Sequence, residues 1–308
     1  GGYENTANGR YASVSGGEDN TASGELSSVT GGQNNTASGE YSFVGGGGSD
    51  SATYGNQAFA DYSAVLGGYS NKAGDPLLSD HSIGENSTVS GGSSNIASGE
   101  FSSVSGGSLN KASGRYSSVS AGNYNEAAGG NASVSGGNHN EAAGSSDSVS
   151  GGSSNTASGG ASSITGGSSN DASGLFSSVT GGGSNTAAGE RSSVSGGVVN
   201  QANGEYSVVV GGGYVSWTES IGNTAWAEKS VIVGGYGNIT GTSEDSETAK
   251  YSAILGGSFN DAAGFASSIS GGRENTAGGN CSSVSGGYND SVSGTYDWRA
   301  GDEYFSQD

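Results

Sequence analysis

The sequence predicts an all-β fold, a parallel β-roll or β-solenoid of about 17 coils built from 15-residue repeats. The first observation is a strict internal period, because Ser-Val-Ser-Gly-Gly units recur along nearly the whole chain. The second is composition, since 63 glycines and only 31% hydrophobic residues among 308 cannot fill a thick globular core. The third is one aliphatic residue between small polar neighbours, the period-two alternation of a short strand. This aliphatic residue serves as a marker and falls at Val14, Val29, Val44, Val65, Val89, Val104, Val119, Val134, Val149, Ile164, Val179, Val194, Val209, Ile232, Ile254, Ile269 and Val284.

The period indicates a single β-roll repeat domain over residues 1–295, followed by a C-terminal cap at 296–308. Most marker intervals are 15 residues, but intervals of 21 and 24, and later of 23 and 22, predict expanded coils at 45–88 and 210–253. These two segments match each other at offsets of 167 and 165 residues, which indicates a duplicated block. Gly1 begins in the middle of a coil, so we expect either continuation upstream or head-to-tail self-association to cover its strand edge.

Charge and composition narrow the range of partners. The 29 acidic and nine basic residues give a net charge of −20, spread along the coils. Nucleic acid and anionic membranes both require a positive surface, so we expect neither as a partner. No apolar run is long enough to span a bilayer, so we expect no membrane insertion by this segment. Cys281 is the only cysteine and permits no disulfide within the chain.

Each position of the coil has a physical reason. The marker points inward, and the Gly-Gly that follows allows positive φ and a tight corner. A small alanine also points inward, and a further glycine closes the second corner. An asparagine recurs six residues after most markers, and stacked coils would align these amides in a hydrogen-bonded ladder. The ladder asparagines are Asn5, Asn20, Asn35, Asn71, Asn95, Asn110, Asn125, Asn140, Asn155, Asn170, Asn185, Asn200, Asn238, Asn260 and Asn275.

The unit Ser-Ser-Val-Ser-Gly-Gly-x-x-Asn-x-Ala-Ser-Gly also carries a family resemblance. It resembles the head repeat of YadA-like trimeric autotransporter adhesins, most plainly over residues 56–68, Asn-Gln-Ala-Phe-Ala-Asp-Tyr-Ser-Ala-Val-Leu-Gly-Gly. The resemblance covers nearly the whole chain, and related repeats occur in phage tail fibres. It implies a left-handed parallel β-roll, three chains packed around one axis, and a location on the cell exterior.

An aromatic column lies three positions before the markers and favours a homotrimer independently of the resemblance. A coil with so little interior cannot bury these rings within one chain, whereas a closed ring of three chains would bury them symmetrically. An exposed row for carbohydrate stacking is the alternative. The predicted oligomer seam comprises Tyr11, Tyr41, Tyr62, Phe101, Tyr116, Phe176, Tyr206 and Tyr251, with Leu26 in the same column.

Serine and threonine residues flank most markers and form two columns on the outer face of the same strand. Regular hydroxyl pairs on a flat sheet are typical of ice-binding solenoids, although those faces usually prefer threonine and serine dominates here. The other interpretation is that small residues let a neighbouring chain approach. Examples are Ser13/Ser15, Ser28/Thr30, Ser103/Ser105, Ser163/Thr165 and Ser178/Thr180.

The marker flanks become apolar only where the coils expand. They read Val208/Val210, Val231/Val233 and Ala253/Leu255, and in the first copy Phe43, Ala64 and Leu66. We expect the extra residues to cover this face. The expected covers are Tyr214, Val215, Trp217 and Trp226, and correspondingly Tyr54, Phe59, Leu77 and Leu78. Loops on a rigid scaffold also commonly carry recognition, so the candidate ligand contacts are Pro76, Leu77, His81, Tyr214 and Trp217.

Catalytic chemistry finds little support in the sequence. His81, His139 and one cysteine, without a recurring Asp/Glu pair, leave few groups for acid-base, nucleophilic or zinc chemistry. The acidic run at 242–247 lacks calcium-loop spacing and predicts a solvated loop tip. We therefore expect no enzyme activity, no cofactor and no metal.

These features favour a non-enzymatic extracellular structural or adhesive fibre, or an adhesin head on the cell surface. Its expected ligand is a host or surface protein or glycan, bound through the loops of the expanded coils. The alternatives are a phage tail-fibre receptor-binding protein on a virion, a self-assembling extracellular filament subunit, and an ice-binding solenoid.

Overall fold

The protein is an all-β parallel β-solenoid of about 19 coils, with repeats about 15 residues apart, which confirms the predicted fold class. The computed structural model describes residues 1–51, 54–75, 77, 80–216, 218–245 and 247–301. The chain divides into two compact units, Gly1–Ser154 and Asn155–Asp308. Each coil contributes one strand that contains the inward alanine and one that contains the marker, here called the alanine strand and the valine strand.

In the N-terminal unit every strand is two residues long and pairs in parallel with its equivalent in the next coil. The alanine strands are β1 (Thr6–Ala7), β3 (Thr21–Ala22), β5 (Thr36–Ala37), β7 (Gln57–Ala58), β9 (Lys72–Ala73), β11 (Ile96–Ala97), β13 (Lys111–Ala112), β15 (Glu126–Ala127) and β17 (Glu141–Ala142). The valine strands are β2 (Ser13–Val14), β4 (Ser28–Val29), β6 (Phe43–Val44), β8 (Ala64–Val65), β10 (Thr88–Val89), β12 (Ser103–Val104), β14 (Ser118–Val119), β16 (Ser133–Val134) and β18 (Ser148–Val149).

The C-terminal unit repeats the pattern and adds one hairpin. Its alanine strands are β19 (Thr156–Ala157), β21 (Asp171–Ala172), β23 (Thr186–Ala187), β25 (Gln201–Ala202), β29 (Thr224–Ala225), β31 (Ile239–Thr240), β33 (Asp261–Ala262), β35 (Thr276–Ala277) and β37 (Ser291–Val292). Its valine strands are β20 (Ser163–Ile164), β22 (Ser178–Val179), β24 (Ser193–Val194), β26 (Val208–Val209), β30 (Val231–Ile232), β32 (Ala253–Ile254), β34 (Ser268–Ile269), β36 (Ser283–Val284) and β38 (Trp298–Arg299). The hairpin joins β27 (Tyr214–Val215) and β28 (Ser220–Ile221) in antiparallel pairing.

Glycine is required where adjacent coils approach closely. Gly107 has a φ of +84°, and a Cβ at this position would lie 2.2 Å from the carbonyl oxygen of Gly122. At the second corner, a Cβ on Gly114 would lie 2.0 Å from the carbonyl oxygen of Gly129. Both distances are far inside van der Waals contact, so the repeated glycines set the coil spacing as well as the turn.

The interior is thin and half polar. From Val29 to Val284 the marker side chains are at most 1% exposed, and the alanines facing them are buried as well. The ladder asparagines share this interior, as does the serine two positions before most markers, for example Ser102 and Ser117. The sequence pattern did not separate this buried serine from the exposed ones. Apolar burial alone is therefore small in each coil, and the buried hydrogen bonds of the asparagines, not of the Ser102 and Ser117 hydroxyls, carry much of the specificity of stacking.

The asparagine ladder is present, and most of its bonds join a side chain to the main chain, although a few amides also bond each other directly, for example Asn260 Nδ2 to Asn238 Oδ1 at 3.0 Å. The main-chain N–H of Asn110 donates to Oδ1 of Asn95, and that of Asn125 donates to Oδ1 of Asn110, both at 3.0 Å. The Nδ2 of Asn110 donates to the carbonyl oxygens of Gly106 and Gly122, both at 2.9 Å. Each amide thus ties its own corner to the corner of the next coil.

The extra residues of the expanded coils leave from two different corners. The first insertion in each unit precedes the ladder asparagine, because Asn56 N–H donates to Asn35 Oδ1 at 3.1 Å and Asn223 N–H to Asn200 Oδ1 at 2.9 Å. Neither asparagine was predicted to belong to the ladder, because an insertion separates each from its marker by more than the usual six residues. These first insertions lie at 49–54 and 214–221. The second insertions, at 75–83 and 242–248, follow the alanine strand.

The coil pattern continues beyond the last aliphatic marker. Trp298–Arg299, within the segment expected to form the cap, pairs in parallel with Ser283–Val284. Strand pairing needs only backbone groups, and the Nε of Arg299 lies 2.6 Å from Oδ1 of Asp290, which takes a ladder slot. The coil of Arg299 has no aliphatic marker and was therefore not among the 17 expected, whereas about 19 coils are found. Residues 302–308 of the expected cap lie outside the described residues. Within the described ranges, no helix has the length and apolar character needed to cross a membrane.

Candidate assembly and ligand surfaces

The predicted seam residues lie on one exposed corner in each unit. All eight have positive φ between 54° and 62°, a left-handed conformation that is uncommon for aromatic residues. The main chain holds them there, since Phe101 N–H donates to Glu85 O and Tyr116 N–H to Glu100 O, both at 2.9 Å. Their rings are 40–69% exposed. The corner therefore presents aromatic rings outward, one rung for each coil.

In the N-terminal unit the rings of neighbouring rungs stack on each other. Tyr41 and Tyr62 have ring centroids 5.0 Å apart with planes 9° from parallel. Phe101 and Tyr116 are also 5.0 Å apart, at 5°. Asn86 occupies the rung between these two pairs.

In the C-terminal unit the same column alternates rings with cations. The guanidinium of Arg191 lies 5.4 Å from the ring centroid of Phe176 and 5.2 Å from that of Tyr206. Lys229 Nζ lies 5.7 Å from the centroid of Tyr206 and 5.4 Å from that of Tyr251. Cation–π contacts at exposed sites contribute about 0.5–1 kcal/mol each. Five successive rungs therefore form an aromatic–cation stack that the sequence pattern of aromatic residues alone did not reveal.

Carboxylates occupy the position before the column residue in several coils of both units. In the C-terminal unit they pair with the column cations, Arg191 with Glu190 and Lys229 with Glu228. Hydrogen bonds from Lys229 and then Lys250 lower the pKa of the Glu228 carboxyl to about 2. In the N-terminal unit the carboxylate column comprises Glu25, Glu40, Asp61, Glu85 and Glu100.

The loop at 75–83 contains three of the predicted ligand contacts. His81 packs inward, with its ring stacked on Phe59 at 4.2 Å between centroids and its carbonyl oxygen accepting the N–H of Asp61 at 2.8 Å. It anchors the loop to the coil. Leu77 is 91% exposed and is available for contact. Pro76 lies outside the described residues, as does the expected cover Leu78.

The hairpin of β27 and β28 contains the other two predicted contacts. Tyr214 is exposed and lies 5.7 Å from the ring of Tyr236, which in turn meets Phe259 edge-on at 5.4 Å. The first unit has a similar pair, Tyr54 and Tyr69, stacked at 5.3 Å. Trp217 lies outside the described residues. The insertion aromatics thus extend rows of rings beside their own corner.

The apolar flanks of the markers are not covered as expected. Val210, Val233 and Leu255 are 40–57% exposed, and Leu66 in the first unit falls in the same range. The reason is geometric, because the insertions leave from the two corners and the flanks lie on the face of the valine strands between them. Phe59 and Trp226 are half-buried, which agrees with the packing role expected for them.

The hydroxyl columns run along the same face in register. Ser13 Oγ donates to Ser28 Oγ at 3.2 Å, and Ser178 Oγ donates to Ser193 Oγ at 3.2 Å. Each such pair saturates part of its hydrogen-bonding capacity within the sheet, which leaves less for an ordered water lattice.

Ionisable groups are dispersed along the coils. Across the described ranges, no group of three or more His, Cys, Asp or Glu residues has the geometry to hold a metal ion. Desolvation raises the pKa of Asp171 and of Asp261, both on alanine strands. His139 stacks on Tyr124 at 4.7 Å, and both rings lie at the ladder corner, one position before Asn140 and Asn125.

The fold places the protein in the class of β-solenoid repeat proteins. No protein-family model and no curated protein matches the chain.

Proposed function

We propose that the protein is a non-enzymatic extracellular fibre or adhesin head, assembled as a homotrimer, that binds a surface ligand through its expanded coils. The left-handed, YadA-like arrangement implied by the repeat belongs to this proposal. A phage tail-fibre protein would use the same design on a virion.

One observation carries the assembly part of the proposal, namely an exposed aromatic column held in register. Monomeric proteins rarely leave a long apolar stripe in water, and a closed ring of chains removes it without open ends. The small hydroxyl residues of the valine strands permit a neighbouring sheet to approach closely. The stripe on Val210, Val233 and Leu255 adds further apolar surface for such a contact.

The ligand part rests on the insertions. Coils of uniform length need no extra residues to stack, yet each unit carries two loops at equivalent corners. The exposed side chains Leu77 and Tyr214 extend from these loops. Loops on a regular scaffold are the usual place for recognition.

Light scattering coupled to size-exclusion chromatography tests the assembly, with a mass three times that of one chain as the expected result. A monomer at micromolar concentration would overturn the homotrimer. A screen of surface glycans and extracellular proteins against the intact chain tests adhesion. An ice-recrystallisation assay tests the ice-binding alternative, for which we expect no inhibition because the paired serine hydroxyls bond each other.

A further inference from the structure

The aromatic column of the N-terminal unit is interrupted at one rung that has no ring, and the residues around this rung have the features of a binding site. Tyr62, Asn86 and Phe101 occupy three successive rungs. Main-chain bonds fix their order, because Asn86 N–H donates to Asp61 O at 3.1 Å and Phe101 N–H to Glu85 O at 2.9 Å. All three side chains are exposed. The middle rung thus carries a short amide between two rings.

At other rungs, the C-terminal unit contains a comparable arrangement in which a cation fills the position between two rings. There a ring, a cation and a ring follow one another twice, with Arg191 between Phe176 and Tyr206 and Lys229 between Tyr206 and Tyr251. A carboxylate stands beside each cation. Glu85 takes the equivalent position beside Asn86. The rung of Asn86 therefore resembles these filled rungs in having a ring on either side and a carboxylate beside it, but Asn86 brings no cation.

From this comparison we infer that the rung of Asn86, between the rings of Tyr62 and Phe101, binds an ammonium or guanidinium group. Two coil steps separate these rings by roughly 10 Å. A cation at the middle would lie roughly 5 Å from each centroid, within the range of favourable cation–π contact. The filled rungs have cation-to-centroid distances of 5.2–5.7 Å.

Charge around the rung favours the same ligand. Asp61, Glu85 and Glu100 lie on the carboxylate column beside it. Desolvation and then the carboxylates of Glu40, Asp61 and Glu85 raise the pKa of the Tyr62 hydroxyl. Arg115 neutralises Glu100 at 3.0 Å, so the remaining negative charge is centred on this rung.

The same cationic group could come from two sources. One is a basic side chain of a second copy of the chain, and the other is a separate cationic ligand. The inference does not rest on the homotrimer, because the rung exists in each chain. In an assembly that buries the column, a neighbouring chain would supply the group. In a chain whose column is free, a basic peptide or a quaternary ammonium would supply it.

The test uses tetramethylammonium as the probe at constant ionic strength. Ring currents should shift its methyl proton resonance upfield, and the shift should saturate with protein concentration. Asn86→Arg fills the rung from within and should reduce the shift at least fivefold. Tyr62→Leu, checked for folding by circular dichroism, should do the same by removing one ring. Ser146→Arg adds the same charge to the same column beside Asn131, where there is no ring, and should leave the shift unchanged.

Mass in solution provides the second arm and separates the sources. A probe response lost in Asn86→Arg supports a separate ligand. No response in wild type, with a lower assembly mass in Asn86→Arg but not in Ser146→Arg, supports a second copy as the source. Equal effects of Asn86→Arg and Ser146→Arg, or no effect of Asn86→Arg in either arm, would overturn the inference. If the protein is a monomer and responds to the probe, the homotrimer is refuted and the cation site is supported. If it is a trimer and Asn86→Arg changes neither the probe response nor the mass, the homotrimer is supported and the cation site is refuted.

Discussion

Asn95 and Asn110 are joined by a bond from the main-chain N–H of Asn110 to the side-chain Oδ1 of Asn95, 3.0 Å long. The side chain of one coil thus satisfies the backbone of the next. Because the Nδ2 of Asn110 also bonds the corners at Gly106 and Gly122, each amide serves three buried main-chain groups. Few apolar contacts hold adjacent coils together, so this network is the main source of stacking specificity.

Replacing one ladder asparagine should therefore destabilise far more than its size suggests. Asn110→Ala leaves the N–H of Asn125 and the carbonyl of Gly106 without this partner, whereas the carbonyl of Gly122 keeps the N–H of Ser108. Each buried unpaired group costs about 1–3 kcal/mol, so for these two groups we expect a loss of about 2 kcal/mol or more. Urea unfolding followed by circular dichroism measures it. Ser105→Ala, on the exposed face of the same coil, is the control and should change stability by less than about 0.5 kcal/mol.

The two corner glycines of a coil should differ sharply in their tolerance of alanine. Gly107 has a φ of +84° and a Cβ there would clash with Gly122, whereas a Cβ on Gly106 meets no atom within 4 Å. We expect Gly107→Ala to lower the unfolding free energy by about 2 kcal/mol or more. Gly106→Ala should be neutral or stabilising by up to about 1 kcal/mol, because it restricts the unfolded chain. Equal stabilities of the two variants would contradict the corner geometry.

The ion pairs of the C-terminal column predict a defined pH dependence. The pKa of Glu228 is lowered from 4.5 to about 2 by Lys229 and Lys250. A carboxyl group whose pKa is lowered by folding stabilises the protein fully at pH values above its pKa in the unfolded chain. This stabilisation is lost as the pH falls through its pKa in the folded protein. Glu228→Gln should therefore lower the thermal midpoint at pH 7, and the gap to wild type should close between pH 4.5 and about 2.

The matched control for this pH series is Glu126→Gln. Glu126 pairs with Lys111 at 2.7 Å on an exposed strand and should give a smaller gap at pH 7. A wild-type to Glu228→Gln gap that stays constant down to pH 2 would show that the carboxylate charge is not what stabilises this corner.

The repeat made the fold predictable, because each slot of the coil admits one residue type for a simple reason. Val104 and Ala112 are buried and Asn110 forms the ladder, as the period indicated. The insertions hid Asn56 and Asn223, since a spacing rule cannot place a residue on the far side of extra chain. Main-chain bonds reveal them at once.

The surfaces were harder to predict than the interior. Sequence alone grouped the rings of the column but ignored Arg191 and Lys229, which share its slots as cations. It also assigned covers to Val210 and Leu255, which are exposed because the loops leave from other corners. Which corner a loop leaves from depends on where the ladder resumes, and spacing between valines does not contain that information.

If the aromatic column is the seam of a homotrimer, substitutions there should dissociate it. Phe101 and Tyr116 stack on each other at 5.0 Å, and both residues are exposed. The double variant Phe101→Ser, Tyr116→Ser should shift the mass in solution from three chains towards one at micromolar concentration. Tyr124→Ser is the control, because Tyr124 has the same 49% exposure as Tyr116 but lies on another corner. A trimer that survives the double variant, or dissociates equally with the control, would place the seam elsewhere.

Deleting the loop at 75–83 should separate recognition from folding. Joining Gly74 to Gly84 restores a 15-residue coil in which Lys72–Ala73 and Thr88–Val89 keep their strand partners. We expect the thermal midpoint to change by only a few degrees, since shortening a loop lowers its closure entropy by a small amount. Binding to any surface ligand of wild type should fall at least tenfold if the loop makes the contact. Leu77→Ser tests the exposed tip without shortening the chain, while His81→Ala should loosen the anchor on Phe59 and weaken binding indirectly. Undiminished binding by the deletion variant would assign recognition to the hairpin that contains Tyr214.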